Sequence, residues 1–165
     1  MSLFKNYLEL TKPKVVSMML ITAIVGMLLA TPNIPSFQIM IIALLGIGLC
    51  AASAATINQI IDRNIDAGMQ RTSGRPLPQG EISLVNASLF ALFLMIMGTI
   101  ILIYFVNTLT ALLTICSLIG YAFIYTVFLK RATPQNIVIG GLAGAAPPLL
   151  GWTAITNSIL SLIHI

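Results

Sequence analysis

Residues 15–61 read VVSMMLITAIVGMLLATPNIPSFQIMIIALLGIGLCAASAATINQII and contain no charged side chain. Because a membrane-spanning helix needs only about 20 apolar residues, this stretch is long enough for two of them. The segment TPNIPS at 31–36 interrupts it with two prolines among polar residues, a pattern that ends one helix and starts the next. We therefore predict helices over 15–30 and 37–57, joined by a short hairpin loop.

Two further charge-free stretches cover residues 82–129 and 132–165. The first predicts spans over 84–106 and 109–129, and the second predicts one span over 137–155. Ahead of the first span, residues 2–10 place apolar side chains at helical spacing among charges, as in a helix that lies in the membrane interface. The sequence thus predicts an all-α, polytopic membrane bundle of five transmembrane helices, preceded by an interfacial segment over 1–14.

The composition agrees with a membrane protein. Charged residues make up 7% of the 165 residues, against about 25% in a soluble domain, and the mean hydropathy is +1.03. These values exclude an ordinary soluble domain and intrinsic disorder, and the two cysteines exclude a disulfide scaffold. The net charge of +4 does not indicate nucleic-acid binding, because the basic residues flank apolar stretches and form no stripe.

The positions of the basic residues predict the topology. With five spans, all of them fall on one side of the membrane, and they are Lys5, Lys12, Lys14, Arg63, Arg71, Arg75, Lys130 and Arg131. Since basic loops stay in the cytoplasm, we expect the amino terminus and an active-site loop over 58–83 to lie on the cytoplasmic side of the cell inner membrane.

The segment NQIIDRNIDAGMQRTSGRPLPQG at 58–80 contains the polar chemistry of the chain. Asn58, Asp62 and Asp66 are four residues apart, and each such step along a helix advances about 6 Å, so the three share one face. Two carboxylates near the apolar phase repel each other unless a cation partners them. Oxygen ligands without His or Cys favour Mg²⁺ over zinc, so the spacing predicts a magnesium site.

Arg71 and Arg75 follow in a stretch of Thr, Ser, Gly and Pro, where the backbone can curl back and aim guanidinium groups at a polyanion. Acidic metal ligands followed by cationic phosphate ligands predict an Mg²⁺-bound diphosphate at the membrane surface. The alternative is a solvated cytoplasmic loop in which the arginines only neutralise the two carboxylates.

Three segments resemble a known family. The pattern N-x-x-x-D-x-x-x-D at 58–66, followed by M-x-R-T-x-x-R-P-L at 69–77, resembles the first aspartate-rich motif of the UbiA superfamily of intramembrane prenyltransferases. The segments YLELTKPK at 7–14 and GGLAGAAPPLLGW at 140–152 resemble the branch of that superfamily that farnesylates heme. The resemblance implies a nine-helix fold, of which residues 1–165 would be the amino-terminal part of a single domain, inactive on its own.

The resemblance also implies an activity, the transfer of the farnesyl group of farnesyl diphosphate to a vinyl group of heme B, which gives heme O for terminal oxidases. Asn58, Asp62 and Asp66 would hold Mg²⁺, and the two aspartates would be the catalytic residues. Arg71 and Arg75 would bind the diphosphate. Membrane lipids, a terminal oxidase and heme A synthase are the expected partners, and nucleic acid is not.

Several expectations are less specific. Lys12, Lys130 and Arg131 are either further diphosphate ligands or topology anchors. The small residues at 140, 141, 144 and 145 predict close helix packing, with Pro147-Pro148 opening the helix beside a substrate chamber as the alternative. For the whole chain, the alternative functions are a prenyltransferase for an aromatic acid such as 4-hydroxybenzoate, a CDP-alcohol phosphotransferase, and a non-enzymatic channel or assembly factor.

Overall fold

The computed structural model describes residues 3–122, 126 and 136–159, with the helical backbone alone over 136–143. The described residues form helices and no strand. The helices are α1 (Leu3–Leu10), α2 (Pro13–Leu29), α3 (Phe37–Gly68), α4 (Leu84–Phe105), α5 (Thr108–Ile119) and α6 (Asn136–Thr156). These bounds confirm the all-α bundle, and the breaks at 30–36 and 106–107 coincide with the predicted hairpins.

The chain is a multi-pass membrane protein. Within the described ranges, α3 and α4 are long and apolar enough to span a bilayer, and α1 with α2 would add a third span across a bend of 47°. The apolar helix over Thr108–Ala122 is shorter than a span. The count of five spans stays a prediction, because residues 123–125 and 127–135 lie outside the described ranges.

Two glycines bring α3 and α4 into close contact. A Cβ atom on Gly98 would lie 2.7 Å from the Cys50 Sγ atom and 2.8 Å from the Gly46 carbonyl oxygen. Separations this short are incompatible with any side chain at position 98, so only a glycine lets the two backbones approach. This crossing fixes α3, the helix that carries the aspartates, against α4.

A second close crossing joins α2 to α6. A Cβ atom on Gly26 would overlap the Pro148 carbonyl, and one on Gly151 would overlap the Ala23 carbonyl. At Gly144, by contrast, a Cβ atom would meet no atom of the described residues within 4 Å. The close packing predicted at Gly144 is therefore not found with any described residue, and the tight crossing lies two turns further along the helix. The packing predicted at 140, 141 and 145 is not tested by a described contact.

Polar side chains hold α5 against α6 at the end of the bundle opposite the aspartates. The Asn107 Oδ1 atom caps α5 by accepting from the Thr110 N–H at 2.8 Å, and the Asn107 Nδ2 atom donates to the Thr153 carbonyl at 2.9 Å. The Thr110 hydroxyl also donates to the Thr153 hydroxyl at 3.0 Å. Such bonds between membrane helices stabilise their association and satisfy groups that lipid cannot.

The first helix is packed against the rest of the protein. Leu10 is fully buried in a cluster with Leu77 and the start of α4, and the Tyr7 ring makes an edge contact with the Phe90 ring at 4.9 Å. The predicted interfacial segment is thus a short helix whose inner face is fixed to the loop that follows α3.

The third helix is longer than the sequence predicted. It runs to Gly68 instead of ending at 57, because residues 58–67 contain no proline or glycine and the face with Asp62 and Asp66 is buried. The segment 58–83 is therefore not one loop: residues 58–68 are the last turns of α3, and only 69–83 form the connection to α4.

Candidate functional site

The cluster at the end of α3 consists of Asn58, Asp62 and Asp66, which are 5%, 3% and 5% exposed. The predicted shared face exists because α3 is helical through all three positions. Burying carboxylates and amides costs free energy unless cations or hydrogen-bond donors partner them. The groups that surround these three side chains therefore define the site.

Asp66 is partnered by the loop that follows it. The Arg75 Nη1 atom lies 2.6 Å from the Asp66 Oδ2 atom, and the Thr72 hydroxyl donates to the Asp66 backbone carbonyl at 3.1 Å. Thr72 is buried, so the loop folds back onto the helix end. The loop thus returns as its composition predicted, and Arg75 contacts a carboxylate of the predicted metal site.

Lys12 reaches the same face from the start of α2. Its ammonium group donates to the Asn58 Oδ1 atom at 2.5 Å. The Asn58 Nδ2 atom in turn donates to the Asp62 Oδ2 atom at 3.2 Å and to the Thr126 hydroxyl at 3.3 Å. Lys12, Asn58 and Asp62 therefore form one hydrogen-bonded chain. Within it, the Asn58 Oδ1 atom accepts from the Lys12 ammonium group.

The remaining predicted cations do not join this cluster within the described structure. Arg71 is exposed and makes no ion pair with any residue in the described ranges. Lys130 and Arg131 lie outside those ranges, so their assignment to the diphosphate stays a prediction.

A partly open cavity of about 220 Å³ lies beside Lys12 and is lined by residues of α2, α3, α5 and α6. Lys12 lines it, and most other lining side chains are apolar, including Ile47, Leu118 and Leu150. Gly144 and Pro147 contribute the wall from α6. The alternative expectation for this stretch is met in part. Pro147 lies beside a cavity as predicted, but the two prolines do not open the helix, because α6 continues through both of them.

The oxygen donors fit a magnesium ion. Across residues 3–122 and 136–159 there is no group of three or more His, Cys, Asp or Glu side chains that could hold a metal. The carboxylates on this face are those of Asp62 and Asp66, one helical turn apart. Mg²⁺ is often bound by one or two carboxylates and completed by water and substrate phosphates, whereas zinc sites need nitrogen or sulfur ligands that this site lacks.

The sequence did not predict two polar residues that lie beside the aspartate face. Gln59 is 2% exposed and contacts α1 beside the aspartate face, and Thr126 is fully buried against Asn58. The signal for Gln59 is its place in an apolar part of α3, where a buried amide requires a hydrogen-bond partner. No local pattern marks Thr126, whose contact spans 68 positions of the chain.

Comparison with known proteins agrees with this architecture. The UbiA prenyltransferase family profile matches residues 19–165. Protoheme IX farnesyltransferase 2 of Pseudoalteromonas atlantica is 60% identical over 156 residues, which are 94% of this chain and 51% of that protein. The chain therefore spans about half the length of the curated relatives it matches.

Two solved structures have a similar fold. A structure of digeranylgeranylglyceryl phosphate synthase has a TM-score of 0.83 and 26% identity, covering 93% of this chain and 54% of that chain. A UbiA homologue from Archaeoglobus fulgidus, solved with DMAPP and Mg²⁺, has a TM-score of 0.79 and 24% identity, covering 95% of this chain and 56% of that chain.

Proposed function

Because this chain belongs to the UbiA prenyltransferase family, we propose that it forms the metal- and diphosphate-binding part of an enzyme that farnesylates heme. The reaction would transfer the farnesyl group of farnesyl diphosphate to a vinyl group of heme B and lead to heme O. Relatives with 58% and 60% identity, both named protoheme IX farnesyltransferase, support this choice of substrates.

One observation supports the diphosphate site most strongly. Two buried carboxylates, Asp62 and Asp66, lie in a cluster that Lys12 and Arg75 enter from two other segments of the chain. A purely structural ion pair would need one cation and one carboxylate. Two of each, with Lys12 also lining an apolar cavity, suit a ligand that has both a metal ion and several anionic oxygens.

The aspartates would hold Mg²⁺ through their carboxylate oxygens. The chemistry that Mg²⁺ supplies when bound is to stabilise the negative charge that develops on the leaving diphosphate. Arg75 would leave Asp66 and donate two parallel N–H groups to phosphate oxygens, because its guanidinium fork suits them. Lys12 would add a third cation from the cavity side, and Arg71 would bind from the exposed loop.

The cavity beside Lys12 would receive the start of the farnesyl chain. Its mostly apolar lining would exclude water from the allylic cation that forms when the carbon–oxygen bond breaks. The cation would then alkylate the vinyl group, and water would complete the hydroxyethyl product afterwards. The cavity would have to exclude water until the new carbon–carbon bond has formed, because earlier attack by water on the allylic cation would release farnesol.

The same proposal fixes the orientation. The amino terminus and the 69–83 loop would lie on the cytoplasmic side of the inner membrane, since the basic residues cluster there. Heme B and farnesyl diphosphate would enter from that side, and a terminal oxidase or heme A synthase would receive the product.

A chimera tests this function directly. Residues 1–165 would replace the matching half of the Pseudoalteromonas atlantica relative, and the chimera would be expressed in cells that lack heme O synthesis. We expect heme O by chromatography, its loss in Asp62→Ala, and its retention in the control Asn64→Ala, an exposed position on the same helix.

The outcomes separate the alternatives. A chimera that inserts and makes no heme O would contradict the heme assignment, and prenylation of 4-hydroxybenzoate by the same membranes would favour the aromatic-acid function. Equal heme O from Asp62→Ala and Asn64→Ala would contradict the site.

A further inference from the structure

A side chain of α3 binds the carboxyl end of α1 beside the aspartate face. The Gln59 Nε2 atom donates to the carbonyls of Glu9 at 3.0 Å and Leu10 at 3.2 Å. The Thr56 hydroxyl lies 3.4 Å from the Leu10 carbonyl, but its shorter bond, at 2.9 Å, is to the Ala52 carbonyl within α3. The last carbonyls of a helix have no partner within that helix. Here Gln59, the residue next to Asn58, donates to both carbonyls, and the Glu9 carbonyl also accepts from the Lys12 backbone N–H at 3.2 Å.

Lys12 follows this contact and has an unusual backbone conformation. Its φ and ψ angles are 49° and 62°, in the left-handed region. A residue other than glycine occupies that region only when its surroundings impose it. On one side the surroundings are the α1 end held by Gln59, and on the other Pro13, the first residue of α2. In this conformation the ammonium group reaches Asn58.

Packing alone does not account for Gln59. The residue is 2% exposed, and its Oε1 atom makes no hydrogen bond to any described residue. A methionine of similar size would fill the same space without a buried, unsatisfied carbonyl. A methionine could not form the two hydrogen bonds that the Gln59 amide nitrogen donates to α1.

We infer that Gln59 is a positioning residue. By holding the end of α1, it imposes the left-handed turn at Lys12 and directs the ammonium group to the aspartate face. The inference rests on the proposed function in one respect, which is that the ammonium group of Lys12 would bind the diphosphate. The placement itself can be measured without any ligand.

Amine labelling of the purified chain tests the placement. Lys12 is hydrogen-bonded and half-buried, whereas Lys14 is exposed and serves as the internal reference. We expect Gln59→Met to raise the labelling rate of Lys12 relative to Lys14 about tenfold, the effect of losing one hydrogen bond to a charged group. The matched control is Ser53→Ala, which removes a buried bond of 2.7 Å from α3 to the Ala91 carbonyl but none to α1.

Each outcome decides the inference. A selective rise in Gln59→Met supports it, whereas no rise, or an equal rise in Ser53→Ala, overturns it. If Gln59→Met does not fold, Gln59→Leu removes the same two bonds to the α1 carbonyls with a smaller side chain. That variant should raise Lys12 labelling by a similar factor, and an unchanged rate there would overturn the inference as well.

A ligand-binding cycle then tests the consequence. With Mg²⁺ present, Gln59→Met should raise the Kd for farnesyl diphosphate about threefold in the parent and leave it unchanged in a Lys12→Met background. Additive effects would show that Gln59 does not act through Lys12. Failure of the parent to bind farnesyl diphosphate would contradict the proposed function and leave the labelling result standing.

Discussion

Removing the Arg75 side chain should destabilise the protein in a way that Mg²⁺ reverses. In the Arg75→Met variant, Asp66 loses the guanidinium group that lies 2.6 Å from its carboxylate. Asp66 then remains buried one helical turn from Asp62, with like charge on both. A divalent cation between the two carboxylates would supply the missing positive charge.

The size of the effect follows from the geometry. Removing one partner of a buried ion pair typically costs about 3–5 kcal/mol, because the remaining charge stays buried without its counter-charge. The Arg75 side chain is 25% exposed, so solvent screens part of the pair, and about 2 kcal/mol is the expected loss. For a chain of this size, that lowers Tm by about 4–8 °C.

Thermal unfolding followed by circular dichroism in detergent, with and without millimolar Mg²⁺, measures this loss. Arg71→Met is the matched control, because it removes an arginine from the same loop that is exposed and makes no ion pair with a described residue. Equal Tm values for the two variants without Mg²⁺ would refute the reasoning, as would a gap of the same size with Mg²⁺.

Three further predictions concern the metal ligands, the helix crossing and the topology. Asp66→Asn should weaken Mg²⁺-dependent binding of farnesyl diphosphate less than Asp66→Ala in calorimetry, because the amide keeps one oxygen ligand; equal losses would contradict it. Gly151→Ala should lower Tm by several degrees through overlap with α2, and Gly144→Ala by less than about 1 °C; the reverse order would place the crossing elsewhere. Single cysteines replacing the exposed Gln70 and Asn33 should react with impermeant reagents from opposite sides of the membrane, and labelling from one side would disprove the hairpin topology.

Much of the fold could be predicted because membrane helices obey local rules. The charge-free stretches predicted where the helices lie, and the breakers at 31–36 and 107–108 predicted the ends of the helices that flank them. The spacing of Asn58, Asp62 and Asp66 gave the shared face, since helical geometry alone determines it. These features depend on neighbours along the chain, which the sequence displays.

What could not be predicted depends on contacts between distant segments. Lys12 has a left-handed backbone conformation, which a sequence usually signals by a glycine or an asparagine, and neither stands at this position. We infer that Gln59, more than 40 positions away, imposes this conformation. In α6, Gly144 and Gly151 look alike in sequence, yet only Gly151 crosses α2. In a uniformly apolar helix, the partner helix decides which face is packed. The local pattern of apolar residues therefore does not predict that face.

The central claim is that the aspartate face binds a prenyl diphosphate with Mg²⁺, and a single titration tests it most directly. The purified chain in lipid nanodiscs would be titrated with farnesyl diphosphate, with Mg²⁺ or with EDTA, in parallel with Asp62→Ala. The account predicts saturable binding by the parent with Mg²⁺ that is lost with EDTA and lost in Asp62→Ala. Binding of equal affinity in all three cases would contradict it.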